Sequence, residues 1–306
     1  MPYLIRRLAA GIVTLAVLLT LTFFMLRAAP GGPLDRERSL LPRIEAAIGA
    51  QYHLDEPLWR QYLRYVAGVA RGDLGPSFQY EGYRVTELIA AGLPASALLG
   101  ACALIVALAA GLAVGIAAAL RAGGVLDRLL MAATLLGVSV PSFVVAPLLI
   151  LLFALHLGWL PAGGWRPWDV SSLLLPVTAL ALPHVAYVAR LARGSLAEVL
   201  DSPFVLAARA RGLRTPRIVL RHALRPALLP VLSYLGPAAA GLLTGSVVIE
   251  QIFGIPGVGR YFVQGALNRD YTLVLGVVLL YGALIVVLNL IVDLLYGALD
   301  PRVRPA

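Results

Sequence analysis

Six arginines, Arg209, Arg211, Arg214, Arg217, Arg221 and Arg225, fall between Asp201 and Pro230, and Asp201 is the only acid among them. A basic run of this kind serves nucleic acid, anionic lipid headgroups or a partner protein. All 25 basic residues are Arg and none is Lys, which reads as the codon usage of a GC-rich genome. A Walker A phosphate loop needs its lysine, so any ATP that drives this chain is bound on another subunit. Cys102 is the only cysteine, so no internal disulfide forms. His53, His156, His184 and His222 are scattered, without metal-site spacing, and read as structural. Neither Gly-x-Ser-x-Gly nor His-Glu-x-x-His occurs. The residues offer no covalent or metal catalysis, and the expectation is a non-enzyme without cofactor.

The elements that must position these arginines are membrane helices. The chain is 60% hydrophobic and 13% charged, where soluble domains average about 25% charged. Its net charge of +9 is therefore not a nucleic-acid footprint. Uncharged runs cover 8–26, 88–120, 129–165, 170–189, 226–249 and 271–292. A membrane helix needs about 20 apolar residues, so the fold class is an all-α membrane protein with six spans. The first span lies in 1–29. The others are expected at about 94–120, 129–156, 171–191, 227–250 and 272–296. Pro94 reads as a first-turn proline. Pro141, in Val140-Pro141-Ser142-Phe143, and Pro183, before His184, predict kinks. The run after Arg6-Arg7 exceeds the apolar core of a signal peptide, which is about 7–15 residues, and reads as an uncleaved first helix.

Arginine counts orient the bundle. With the N-terminus inside, the inner segments hold fourteen arginines against Asp127, Glu198, Asp201 and Asp300, while the outer ones hold eleven of each sign. Both termini are then cytoplasmic. A cysteine at Ser77 should be reached from outside, and one at Thr215 only from inside. The outer segment 30–93 is too long for a turn. Leu58, Tyr62, Tyr65, Val66 and Val69 keep helical spacing there, with Trp59 and Tyr62 suited to an interface. Trp159, Trp165 and Trp168 bracket another outer turn as an aromatic belt. Glu250 ends the fifth span, either snorkelling to water or lining a substrate mouth. Gly254-Ile255-Pro256-Gly257-Val258-Gly259 reads as a tight re-entrant turn. Asp293 is expected to pair an inner arginine or cap backbone groups.

Within 201–226, Ala207-Ala208 precedes Gly212 by four residues, and Thr215-Pro216 looks like an N-cap with a first-turn proline. The reading is a short helix from Val205 to Arg211, a glycine stop, and a second helix. This stretch resembles the cytoplasmic Glu-Ala-Ala-x-x-x-Gly loop of ABC-importer permeases. Leu206 stands where that Glu would be, while Ala207, Ala208 and Gly212 fit. The wording RHALRPALLP, the APGGP after the first helix, the E-x-x-F-x-x-P-G-x-G at Glu250 and the closing DPRVR are similar to the dipeptide/oligopeptide branch. The long first loop, with its LDEPLWRQYLRYV, is similar to B-type subunits.

The resemblance spans the whole chain. It implies a type I ABC importer permease fold in the bacterial inner membrane, with an ABC permease core over 94–297. It implies that 201–226 couples to ATPases, through Leu206, Ala207, Ala208, Gly212, Thr215, Pro216, Arg217 and Arg221. It implies a heterodimer with a C-type permease, two ABC ATPase subunits and an extracytoplasmic binding protein, with alternating access between the permeases. Pro141, Ser142 and Glu250 are the candidate translocation-path residues. Cargo would be peptides, with glutathione or nickel complexes as alternatives within the family. A secondary transporter would show internal repeats or paired intramembrane charges, and a membrane enzyme would carry a catalytic set within its spans. The sequence shows neither clearly.

Overall fold

The computed structural model describes residues 2–29 and 54–299. Among these the regular structure is helical, with one isolated antiparallel bridge between Pro76 and Arg84. The helices are α1 (Pro2–Ala28), α2 (Leu58–Ala70), α3 (Val85–Ala119), α4 (Val125–Ser139) and α5 (Ser142–Leu149), which runs on as a π-helical stretch, Ile150–His156. Then come α6 (Val170–Leu200), α7 (Pro203–Ala210), α8 (Thr215–Ile218), a π turn (Val219–Ala223) and α9 (Leu224–Ala227). The chain continues through α10 (Leu229–Phe253), α11 (Val258–Leu267) and α12 (Tyr271–Leu299). Among the described residues, five helices are long and apolar enough to cross a membrane, and six spans result if α4 and α5 count as one.

Two expectations need correction. The third span is not a kinked helix: α4 and α5 are bent by 100°. Proline pushes the residue before it out of the α region, and Val140 (ψ 118) and Pro141 (ψ 142) are both extended. The helix stops at Ser139 and restarts at Ser142. The second span starts at Val85, so Pro94 lies inside the helix rather than in its first turn. The reason is a cap. The Glu87 carboxylate accepts from the Arg84 backbone N–H at 3.0 Å, as a capping-box acid does. That start carries charge, so a search for uncharged runs clips it.

The chain forms two compact units. One comprises Met1–Ser96 with Pro256–Val286. In it α2 holds α1 through Tyr62, whose hydroxyl meets Thr20 Oγ1 at 2.8 Å and whose ring stands edge-on to Phe23. Val85, Leu88 and Ile89 of α3 pack with Val258, Tyr261, Leu273 and Val277. The other unit comprises Ala97–Ile255 with Val287–Ala306. There α6 is the post against which α4, α5 and α10 pack. The contact between α3 and α6 is very close: a Cβ on Gly111 would stand 2.7 Å from Val188 Cβ, and one on Gly115 2.5 Å from the Ala189 carbonyl oxygen. Gly111 and Gly115 are four apart, the small-xxx-small spacing that brings membrane helices together. Asp169 caps α6, accepting from the Ser171 hydroxyl and N–H, which together hold its carboxyl below the usual range.

Candidate functional site

The segment after α6 is a ridge seated on an apolar core. Pro203 starts α7 from its first turn, where its missing N–H costs nothing. Gly212 has φ +78, a left-handed conformation that ends helices and that β-branched residues disfavour. Its N–H donates to the Arg209 carbonyl at 2.9 Å, and the Leu213 N–H donates to the Ala208 carbonyl at 3.3 Å. One boundary shifts: Arg214 occupies the position before α8, so Thr215 and Pro216 are both in its first turn. Thr215 is not the cap.

Val205 and Ala208 point down, into a core with Ala119, Leu196, Leu200, Ile218, Val219, Ala223 and Ala227. Burying a side chain such as Ile218 contributes about 1.5–3 kcal/mol, so the segment is held by packing as well as by its turns. The Ser195 hydroxyl also donates to the Ala227 carbonyl. Ala207, Gly212, Thr215, Pro216, Arg217 and Arg221 are exposed, and Leu206 is 53% exposed. The alanine pair therefore splits: Ala207 faces outward and Ala208 faces the core. Phe204 and Leu220 are exposed apolar side chains that the sequence reading passed over. Phe204 and Ala207, three apart on a helix, present one face. Arg209, Arg211 and Arg214 are exposed as well.

A second fixture holds the same unit. Arg193 of α6 donates to Asp127 of α4 through Nε at 3.1 Å and Nη2 at 2.6 Å. Asp127 also accepts from the Gly123 N–H. This bidentate pair joins residues 66 apart in sequence, a distance at which no local pattern signals it.

The candidate path residues differ in exposure. Pro141 and Ser142 make the α4–α5 break, Pro141 exposed and Ser142 half-buried. Glu250 is only 1% exposed and accepts from the Ser246 hydroxyl at 2.7 Å. It does not snorkel. The turn after it opens with Gly254 in the left-handed region (φ +65). Ser77, expected to be reachable, is 1% exposed: its hydroxyl donates to Asp270 at 2.5 Å. Of the belt tryptophans, Trp159 and Trp168 are exposed and Trp165 is half-buried. Asp293 is half-buried.

Residues 111–305 match the family model described as "Binding-protein-dependent transport system inner membrane component". The chain belongs to that family. It is 50% identical to the oligopeptide transport system permease protein OppB of Escherichia coli K12 over 304 residues, 99% of each chain. It is 41% identical to the dipeptide transport system permease protein DppB of Bacillus subtilis over 302 residues, 99% of this chain and 97% of that one. Two crystal forms of the MetNI methionine ABC transporter in inward-facing conformations share the fold. They have TM-scores of 0.56 and 0.60 at 20% and 19% identity, over 70% of this chain and 96% of theirs. The protein is a permease subunit of an ATP-driven importer in the bacterial inner membrane, a transport subunit rather than an enzyme. Such a permease works with an ATPase, a substrate-binding protein and a second permease subunit.

Proposed function

We propose that this chain is the B-type permease of a peptide importer, with 203–217 as the joint through which ATPase motion reaches the spans. The N- and C-termini are cytoplasmic in this reading, which puts the basic ridge on the ATPase side. It pairs with a C-type permease, two ABC ATPases and an extracytoplasmic binding protein. Both permease relatives above are named for peptides, which favours peptide cargo over glutathione or a nickel complex. The full-length 50% identity to OppB carries the assignment.

A joint must transmit force without bending. Here the exposed face of α7 is backed by Leu196 and Leu200 of α6 and Ala119 of α3, in one apolar core. When the ATPases close, a displacement of α7 passes to the ends of two spans. The cargo route then opens to the opposite side.

The test is pull-down of the ATPases, with ATP hydrolysis of the reconstituted complex measured with and without loaded binding protein. Ala207→Trp and Gly212→Val should both insert and pair with the second permease. Ala207→Trp should lose the ATPases, and Gly212→Val the stimulation of hydrolysis. Full stimulation and normal pull-down in both variants would sink the coupling role. A cysteine at the exposed Glu81, replacing the buried Ser77 as the outer reporter, and one at Thr215 report orientation. Labelling of Thr215→Cys by an impermeant reagent in intact cells would reverse it.

A further inference from the structure

Within the second unit, three polar rings meet on the helix post. His184 and Tyr187 lie on one face of α6, three residues apart, and Tyr234 comes from α10. The His184 Nδ1 and the Tyr234 hydroxyl are 2.9 Å apart. The Tyr187 and Tyr234 ring centroids are 5.6 Å apart. Gly241 borders the imidazole: a Cβ there would stand 3.6 Å from His184 Cε1, an ordinary contact. Both helices are apolar enough to cross a membrane.

Two polar atoms of this group are uncommitted. Among the described residues neither His184 Nε2 nor the Tyr187 hydroxyl has a hydrogen-bond partner. His184 is half-buried and Tyr187 is 47% exposed. An unpaired polar group turned toward hydrocarbon is strongly unfavourable, so this face meets water or a polar partner. Tyr187 stands three residues before the exposed Arg190, where an interfacial tyrosine is the plain alternative. His184 stands six residues before Arg190, about 9 Å along the helix. An imidazole at that depth does not reach the headgroups.

We propose that His184, Tyr187 and Tyr234 line the inner half of the transport passage and hydrogen-bond the backbone of the crossing peptide. The proposal rests on the peptide-importer reading above. Phenol hydroxyls both donate and accept, and an imidazole nitrogen does either according to its tautomer. A peptide backbone presents both kinds of group in every residue. Neutral groups that can serve either role hold any sequence weakly, and a conducting site must also let go. Glu250, enclosed with Ser246, is not part of this surface.

The experiment places Tyr187→Cys in a Cys102→Ala background, in the complete complex in inside-out vesicles, treated with a sulfonated, lipid-insoluble maleimide. Labelling is expected in the resting complex and lost after trapping with ATP and vanadate. Labelling only by a lipid-soluble maleimide overturns the proposal, because the face then meets lipid. Equal labelling in both states overturns it too, because Tyr187 is then an interfacial aromatic. Cargo contact is read from trialanine delivered per ATP hydrolysed. His184→Phe is expected to lower that ratio several-fold, and His184→Asn, which keeps a hydrogen-bonding group, to restore it. An unchanged ratio in His184→Phe removes the cargo contact. A complex that fails to assemble with ATPases sinks the importer reading instead, and is seen before any labelling.

Discussion

The loop 71–84 and the ridge 203–217 are both surface segments held rigid, but by opposite means. The loop is pinned by polar groups. Asp270, fully buried, accepts from the Ser77 hydroxyl, the Gln79 N–H at 3.0 Å, the Thr272 hydroxyl at 3.0 Å and the Leu273 N–H at 3.0 Å. Arg84 adds an exposed ion pair to Asp73 at 2.9 Å. The ridge is pinned by apolar side chains, with Val205, Ile218 and Ala223 all at 0% exposure. Hydrogen bonds fix direction and register and fail abruptly when one partner goes. Apolar packing tolerates change of shape and fails in proportion to volume. A loop that must hold one conformation suits the first, and a surface that must carry load suits the second.

The largest effect should come from removing the hub of the polar loop. Asp270→Ala takes the acceptor from the Ser77 hydroxyl and the Leu273 N–H, while the Gln79 N–H keeps Ser77 Oγ at 3.2 Å and the Thr272 hydroxyl keeps the Pro76 carbonyl. Hydrogen bonds to a charged group are worth about 1.5–3 kcal/mol each, so the loss should exceed about 3 kcal/mol. Limited proteolysis should then cut within 71–84 while the ridge stays intact. Equal protection of the loop in Asp270→Ala would mean that its fold does not depend on the carboxylate.

Next is the ridge core. Ala208→Trp forces a large ring into the packed cluster, and overpacking costs typically about 1–3 kcal/mol. The thermal midpoint of the purified complex should fall. Ala207→Trp adds the same ring on the exposed side and should leave the midpoint within the change expected of a surface substitution, about 0.5 kcal/mol. The pair separates a folding defect from a docking defect one residue apart. If both variants lower stability alike, the ridge is not oriented as described.

That pair also marks how far the sequence could be read. The helix–glycine–helix outline of 201–226 was legible, because Gly212 and Pro216 act through local backbone rules. Which alanine faces the core was not, since that depends on the roll of α7 against α3 and α6. The spans were legible as uncharged runs, but the start of α3 was clipped because its cap is charged. Pro141 signalled a bend without its size. Ser77 looked accessible because nothing local reveals a partner at Asp270, 193 residues away. Gly111 and Gly115 carried a readable spacing for the α3–α6 contact. His184 carried only its own identity, and its meeting with Tyr234 is a tertiary fact.

Smaller effects are expected from the ridge arginines. Arg211, Arg214 and Arg217 are exposed, and single exposed charges contribute about 0–1 kcal/mol. Each neutralised alone should change ATPase binding little, while the three together should weaken it and flatten its salt dependence. Strong loss from one substitution would point to a specific bidentate contact rather than a summed field.

The smallest change asks whether the polar side of the molecule carries a pH limit that the apolar side lacks. Tyr65, on α2, has a buried hydroxyl with no hydrogen-bond partner among the described residues. Burial pushes its phenol well above the usual value, and the Arg27 charge only partly opposes this. Tyr80, beside Gln264, is also pushed up, first by burial and then by Tyr261. A group whose folded pKa is raised contributes stability that is fully present below its unfolded pKa, about 10 for tyrosine, and is lost as pH rises through the folded value. Alkaline solution should therefore loosen α2 and the following loop, while the ridge is held by packing of apolar side chains around Val205. Hydrogen exchange above about pH 10 should show protection falling in 58–84 before 203–227. Tyr65→Phe removes a hydroxyl that earns no hydrogen bond, so at neutral pH it should be neutral or stabilising by less than about 1 kcal/mol. In alkali it should retain more protection than wild type. If exchange rises together in both segments, or Tyr65→Phe loosens α2 at neutral pH, the hydroxyl has a partner and the contrast between the two segments does not extend to pH.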